Sequence, residues 1–300
     1  MGKIHFVLVC HCDRVEWSDS AYSYDDMEFA VRQLTRILVR IERECDVEIP
    51  VTYLPCFMHG EVEYSVAHER TGLFMELSKK GNEIGVHTHV GYDQLPSQDG
   101  FIIPDADALE GLGFPRPKTW AAGDWYTTSE TVRQLEEGRY TADCSVVPLE
   151  GKFYHGSRKQ FELNYSRCKN LSPYHPSYED ICITGESSIV ELPVNGWLPE
   201  LYYWDQHFPL GEKRLEERLL YRLRMRGETA IDIFQVFWHP QDFWLPHYAW
   251  YPGNSGQEPR IDKQLLKSTQ GFLRLAAGLD GVEFSTAYQA AEEWERSNSS

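Results

Sequence analysis

Residues 83–94, EIGVHTHVGYDQ, set His87 and His89 two places apart directly after an apolar run. Residues two apart on a strand point to the same side, so both imidazoles face one way. An earlier apolar run, KIHFVLVC, leads into His11 and Asp13, again two apart, and a later one, IDIFQVFW, leads into His239. Two imidazoles on one strand and a carboxylate on a near neighbour are a common ligand set for a zinc-type ion that keeps one position for water. Such an ion lowers the pKa of the bound water toward neutrality and polarises a carbonyl oxygen. A lone His-x-His is equally the mark of two buried histidines with satisfied hydrogen bonds. Asp13 and His239 at two further strand ends favour the metal.

The elements that must position these groups alternate along the chain. Apolar, β-branched runs predict strands over 3–10, 51–58, 83–89, 117–123, 141–148, 188–194, 231–240 and 281–286. Helical spacing predicts helices over 25–44 with Asp25 as cap, 63–81 stopping at Gly81, 128–138 capped by Thr128, 211–227, 262–278 and 287–296. Residues 90–112 read as a loop. Residues 150–185 lack any period and read as an insertion over one face of a single domain spanning 1–296, with 297–300 as a disordered tail. Repeated βα units imply parallel strands with helices outside. No G-x-G-x-x-G or Walker A pattern follows the first strand, so a (β/α) barrel fits better than a nucleotide-binding sheet, and polar residues at the C-terminal strand ends would form the site.

Composition excludes more than it selects. The 46 acidic against 29 basic residues leave a formal net charge of −17, which repels nucleic acid phosphates and anionic lipids and leaves neutral partners unhindered. No apolar stretch approaches the roughly 20 residues needed to span a bilayer. The N-terminal apolar run is short, is broken by His5 and has no small-residue cleavage site after it, so a cytoplasmic protein is expected. Seven scattered cysteines, an odd number, argue for reduced thiols over a disulfide framework.

Four pieces of the chain resemble the polysaccharide deacetylases of carbohydrate esterase family 4, the NodB-homology type. VLVCHCD resembles the first-strand motif that ends in acidic residues, and GNEIGVHTH resembles the family's GHEIG-x-H-T. WAAGDWYTTSETVRQLEEGRYTADCSVVP follows the third motif, and VELPV and VFWHPQDF match two later strands, the second with a late His-Pro. The matches span residues 4–243 in the family's order. The resemblance implies an α/β fold, a distorted (β/α)7-type TIM-like barrel. It implies Asp13 and His87 as metal ligands and His239 as the acid that protonates a leaving amine. The family's second metal histidine falls on Gly91, and His89 is the natural substitute. The family's base falls on Cys12, and the arginine that orients it falls on Ala121. Glu16, His11 and Asp124 remain as candidate bases, or the hydrolytic chemistry is degraded.

The implied activity is metal-assisted hydrolysis of an N-acyl group, N-acetyl first, on a soluble sugar-type or other small-molecule substrate. Zinc is the first choice of ion, with cobalt, nickel or iron open. Aromatic residues follow two strand ends, and Trp125, Trp197, Trp204, Trp238 and Trp244 are the candidate substrate-binding faces, since flat apolar rings with polar tips suit sugar C–H faces. Two rivals stand beside this: a hydrolase of non-sugar C–N bonds, as in allantoinase-like relatives of this barrel, and a non-catalytic carbohydrate-binding protein, for which Cys12 and Ala121 speak.

Overall fold

The structure is a computed structural model that describes residues 2–13, 23–59, 65–90, 92–148, 153–155, 161–163, 165, 168, 170–198, 214–225, 231–245 and 260–298. Strands β1 (Lys3–Cys12), β2 (Thr52–His59), β3 (Glu83–Ile84), β4 (Val86–Val90), β5 (Thr119–Ala122) and β6 (Ala142–Asp143) come first. After them come β7 (Phe153–His155), β8 (Phe161–Leu163), β9 (Val190–Glu191), β10 (Val194–Trp197), β11 (Ile231–Trp238), β12 (Trp244–Leu245), β13 (Arg260–Ile261) and β14 (Val282–Ser285). The helices are α1 (Tyr24–Cys45), α2 (Val66–Glu69), α3 (Thr71–Ser78), α4 (Ile102–Gly111), α5 (Thr131–Glu137), α6 (Leu215–Met225), α7 (Lys263–Ala277) and α8 (Ala287–Asn298).

The main sheet runs β10-β11-β1-β2-β4-β5-β6-β9, and its pairings are parallel. Its two ends, β9 and β10, belong to one chain segment. Leu192 N–H bonds Asp143 O at 2.8 Å and Leu198 N–H bonds Phe237 O at 2.8 Å, so this segment leaves β6 and joins β11 and closes the ring. Counting β9 and β10 as one bent strand, the ring is β1, β2, β4, β5, β6, β9–β10 and β11, a distorted (β/α) barrel. β3 extends β4 alongside β2, and β14 lies beside the first half of β1. Two small antiparallel pairs, β7–β8 and β12–β13, lie outside the ring.

Local chemistry explains where elements differ from the sequence pattern. Helix α1 is capped by Ser23, not Asp25: the Asp26 N–H donates to the Ser23 hydroxyl and the Ser23 N–H donates to the Asp26 carboxylate, a reciprocal box. The single helix expected over 63–81 is two short ones that meet at Arg70. The expected strand 83–89 breaks at Gly85, where a Cβ would stand 2.4 Å from Thr119 O and 2.5 Å from the Leu54 side chain. The 90–112 loop holds helix α4, whose Ile102, Ala106 and Leu109 are buried at helical spacing. Its Pro104 sits in the first turn, where no intrahelical N–H bond is lost. The last helix continues through Asn298, so Ser297 and Asn298 are helical instead of part of a loose tail. Cys168 and Cys182 form a disulfide across 14 residues, which corrects the expectation of thiols alone; an odd count requires only that one cysteine stay unpaired, and Cys10, Cys12, Cys45, Cys56 and Cys144 are free.

Alternation along β1 sorts its side chains. Phe6 packs outward against Phe234, Phe272 of α7 and Phe284, while odd-numbered residues face the barrel interior. The start of α8 caps the N-terminal mouth: Ala287 N–H donates to Thr52 Oγ1 at 2.8 Å and Tyr288 N–H to Glu83 Oε2 at 3.1 Å. The opposite mouth, at the strand C-termini, is where the histidines converge.

One polar pair in the barrel wall couples the fold to pH. Asp143 and Glu191 stand in register on β6 and β9, both fully buried. Asp143 Oδ1 accepts from the Ser145 hydroxyl, and Glu191 Oε1 accepts from Val146 N–H at 3.0 Å. Burial raises both carboxyls, Asp143 to about 6, and the adjacent Asp143 raises Glu191 further. Both folded values lie above those of free carboxyls, so this contribution to stability is complete below about pH 4 and is lost as pH rises through 6. The Tm of wild type should fall more steeply between pH 4 and pH 7 than that of Glu191→Gln, measured by differential scanning calorimetry; parallel profiles would show that the pair carries no proton linkage.

Candidate metal and catalytic site

Asp13 directly follows β1, and its carboxylate is held between two imidazoles. Asp13 Oδ1 is 3.0 Å from His87 Nε2 and Oδ2 is 3.3 Å from His239 Nε2. β2 separates β1 from β4 in the sheet, so the Asp13–His87 contact is made across the barrel interior. Burial alone would raise the Asp13 carboxyl, but His87 and His239 outweigh it and hold it well below the usual carboxylate range. His87 Nδ1 donates to Ala121 O at 3.0 Å, which fixes the ring and turns Nε2 toward Asp13. Thr88, between the two histidines, faces the other way: its hydroxyl donates to Asp105 and accepts from the Trp120 indole, each at 2.8 Å.

His239, just past β11, is oriented from behind by Asp242. The Asp242 Oδ2 atom lies 3.2 Å from His239 Nδ1, accepts the His239 backbone N–H at 2.7 Å and accepts the Trp197 indole N–H at 2.7 Å. Burial lowers the His239 pKa, but Asp242 and Asp13 outweigh it, so the net direction is upward, toward imidazolium. The His11 ring lies 4.5 Å from that of His87, tilted against it, and meets His239 edge-on at 5.4 Å. Burial and then the His87 charge push it well below the ordinary imidazole range, and its Nε2 has no hydrogen-bond partner among the described residues.

The turn after β5 supplies Asp124. At Gly123 a Cβ would stand 2.5 Å from Thr88 O and 2.6 Å from the His89 ring, so only glycine allows this approach. Asp124 and Trp125 then both take left-handed φ, 52° and 51°. Asp124 Oδ2 comes 3.6 Å from His89 Nδ1. Burial, with the Asp13 charge, holds the Asp124 carboxyl well above its usual range.

The structure thus brings together Asp13, His87, His89, His11, His239, Asp124, Trp125 and Trp197. Trp125 is buried edge-on against Trp197 and Phe237. Trp197 ends a strand instead of standing in a loop; it is 2% exposed and its N–H is committed to Asp242, so it positions His239 and offers no stacking face. Trp238 is fully buried on the outer side of β11 against Phe243, which removes it from the site. Cys12 faces away on β1, with its sulfur 3.4 Å from that of Cys10. Glu16 and Trp204 lie outside the described residues, as does the Trp244 side chain. Asp242 is a functional residue that the family motifs do not point to. It is fully buried behind His239, and its signal was the three-residue spacing after His239 in HPQD.

The donor set fits a divalent ion. One ligand-type atom each from Asp13, His87 and His89 lies within 4.8 Å of the others, and the His87 second nitrogen is already fixed by a backbone carbonyl. Carboxylate with two imidazoles admits zinc and its first-row neighbours alike.

No family profile matches the chain. No curated protein matches it either. Solved structures do. A candidate glycoside hydrolase/deacetylase from Parabacteroides distasonis superimposes with a TM-score of 0.63 at 14% identity, over 98% of this chain and 72% of that one. A 4-alpha-glucanotransferase from Thermococcus litoralis gives 0.55 at 16%, over 97% of this chain, which spans only 40% of that protein's length. A candidate polysaccharide deacetylase from Mycobacterium smegmatis gives 0.52 at 17%, covering 99% of this chain and 92% of that one. At these identities the likeness is one of fold.

Replacing both His87 and His89 by alanine should lower the bound divalent metal by one ion per chain relative to wild type, measured by elemental analysis after dialysis. Unchanged metal content would show that these imidazoles hold none.

Proposed function

We propose that this chain, which has the distorted barrel fold of the polysaccharide deacetylases, is a metal-dependent hydrolase that removes an acyl group, N-acetyl first, from a soluble sugar-type substrate. The observation that carries the proposal is Asp13, set between His87 and an acid-poised His239 at the C-terminal mouth of the barrel. Asp13, His87 and His89 would hold the ion, zinc by preference. Once bound, it would supply a water acidic enough to ionise near neutral pH and would polarise the acyl oxygen.

The remaining residues divide the proton work. His11 is neutral and its Nε2 has no partner among the described residues, so it can take the proton of the attacking water. His239 donates a proton to the departing nitrogen, with Asp242 and Trp197 fixing its ring. Asp124 stands beside the His89 ring, its Oδ2 3.6 Å from Nδ1. This assignment moves the base from Cys12, which faces away, to the next side chain on the inner face of β1.

The acidic balance of the chain suits a neutral substrate, and among the described residues no helix is long and apolar enough to cross a membrane. The Cys168–Cys182 disulfide weighs toward an oxidising compartment and against the cytoplasmic placing read from the sequence. A carbohydrate-binding barrel without hydrolysis is the second reading, and the small Ala121 and averted Cys12 favour it.

The test is release of acetate from N-acetylated amino sugars by the zinc-loaded protein. Turnover is expected, with His239→Ala and His11→Ala each lowering kcat by about 10²–10⁴-fold while metal content stays constant. Metal binding without turnover would favour the binding protein, and turnover of simple amides or ureides in place of sugars would favour a non-sugar C–N hydrolase. Loss of metal in His11→Ala would make His11 a ligand instead of the base.

A further inference from the structure

The N-terminal mouth of the barrel carries a second cluster of ligand-type groups. His5 on β1 stands in register with Glu283 on β14, and Glu293 of α8 reaches the same place. One ligand atom from each lies within 4.8 Å of the others. Acidic clusters near a surface are common without any ion, so the decisive group is His5. Its side chain is 1% exposed. Nδ1 lies 2.6 Å from Ser285 Oγ, which fixes the ring. Nε2 has no hydrogen-bond partner among the described residues, and Glu293 Oε2 lies 3.2 Å from it without hydrogen-bond alignment. In the tautomer whose Nδ1–H donates to Ser285, Nε2 presents a lone pair beside a carboxylate, an arrangement that a cation bridging the two would satisfy.

Lys3 is the cation already at hand. Its ammonium bonds Glu283 Oε2 at 2.8 Å and also Glu293 Oε1. It gives no hydrogen bond to His5 Nε2, and it and the Arg296 charge near Glu293 are the cations a bound ion would have to compete with. One buried imidazole and two carboxylates match the donor set of zinc-class ions.

We propose that His5, Glu283 and Glu293 bind a divalent ion of the zinc class at this mouth. The ion ties the first strand to the last strand and the last helix, residues about 280 positions apart in the chain. His5 and Asp13 are eight residues apart on one extended segment, about 26 Å at roughly 3.3 Å per residue, so this ion is separate from the one at the catalytic mouth. Its role is structural: it replaces the Lys3 ammonium, whose long side chain is free to swing to solvent, and it satisfies His5.

The test is calorimetric titration of Zn2+ into the His87→Ala, His89→Ala variant, with Co2+ absorption as a second readout. One ion per chain is expected, with a rise in Tm on saturation. Glu293→Gln in that background should weaken binding at least tenfold, and Lys3→Met should tighten it, because the competing ammonium is gone. A merely structural salt bridge would lose stability on Lys3→Met and gain no zinc affinity. No zinc uptake by the double variant, or uptake indifferent to both Glu293→Gln and Lys3→Met, overturns the proposal. Should the double variant fail to fold, the same two substitutions are read in the otherwise wild-type chain. There, Glu293→Gln removes one ion whether or not the catalytic mouth holds another, so the two sites fail independently.

Discussion

The largely buried carboxylate of Asp13, set between His87 and His239, is the contact on which the rest of the site depends. A buried carboxylate is costly unless charge or hydrogen bonds compensate it. Two imidazoles do so here, and each must itself be fixed. His87 is tied to the Ala121 carbonyl on β5, and His239 is tied to Asp242. Asp242 is in turn held by the Trp197 indole from β10. One interaction therefore recruits β1, β4, β5, β10 and β11, which is most of the ring.

This explains why the ring must close as it does. The segment carrying β9 and β10 bonds to β6 at one end and β11 at the other, with a register shift between Val194 and Gly196. The shift carries Trp197 to the end of β11, where its N–H meets Asp242. A straight strand would have placed another residue there and left the buried Asp242 oxygen with one donor fewer. The bend in the barrel wall and the orientation of His239 are thus the same structural fact.

Much of this was legible in the sequence and some was not. The alternation of apolar runs with amphipathic helices gave the parallel barrel, since a strand's period is local and needs no knowledge of its partners. His87, His89, Asp13 and His239 were legible for the same reason, each standing at the end of an apolar run. What depends on tertiary partners was not. Helix α4 was hidden because Pro, Asp and Gly in its neighbourhood read as loop, although Pro104 falls where a helix tolerates it. Trp197 and Trp238 read as exposed stacking faces because composition does not show which side of a strand meets the helical layer. The Cys168–Cys182 bridge lies in a stretch with no period, where spacing carries no geometry.

The turn at residues 123–125 shows how much the fold concedes to the site. Left-handed φ is tolerable for aspartate but unusual for tryptophan, and each such residue costs of order 1–3 kcal/mol unless its surroundings over-determine it. They do so here. Gln98 donates to Gly123 O at 3.2 Å, Tyr126 N–H bonds the same carbonyl at 3.1 Å, and the Tyr165 hydroxyl donates to Trp125 O at 2.5 Å. Trp125 is buried against Trp197 and Phe237, so the aromatic contacts that hold the strained turn also back the tryptophan that holds Asp242. A glycine at 124 would relieve the backbone and leave His89 without its carboxylate neighbour. That the chain carries aspartate there, directly after the one residue small enough to pass His89, places the strained backbone beside the His89 ring.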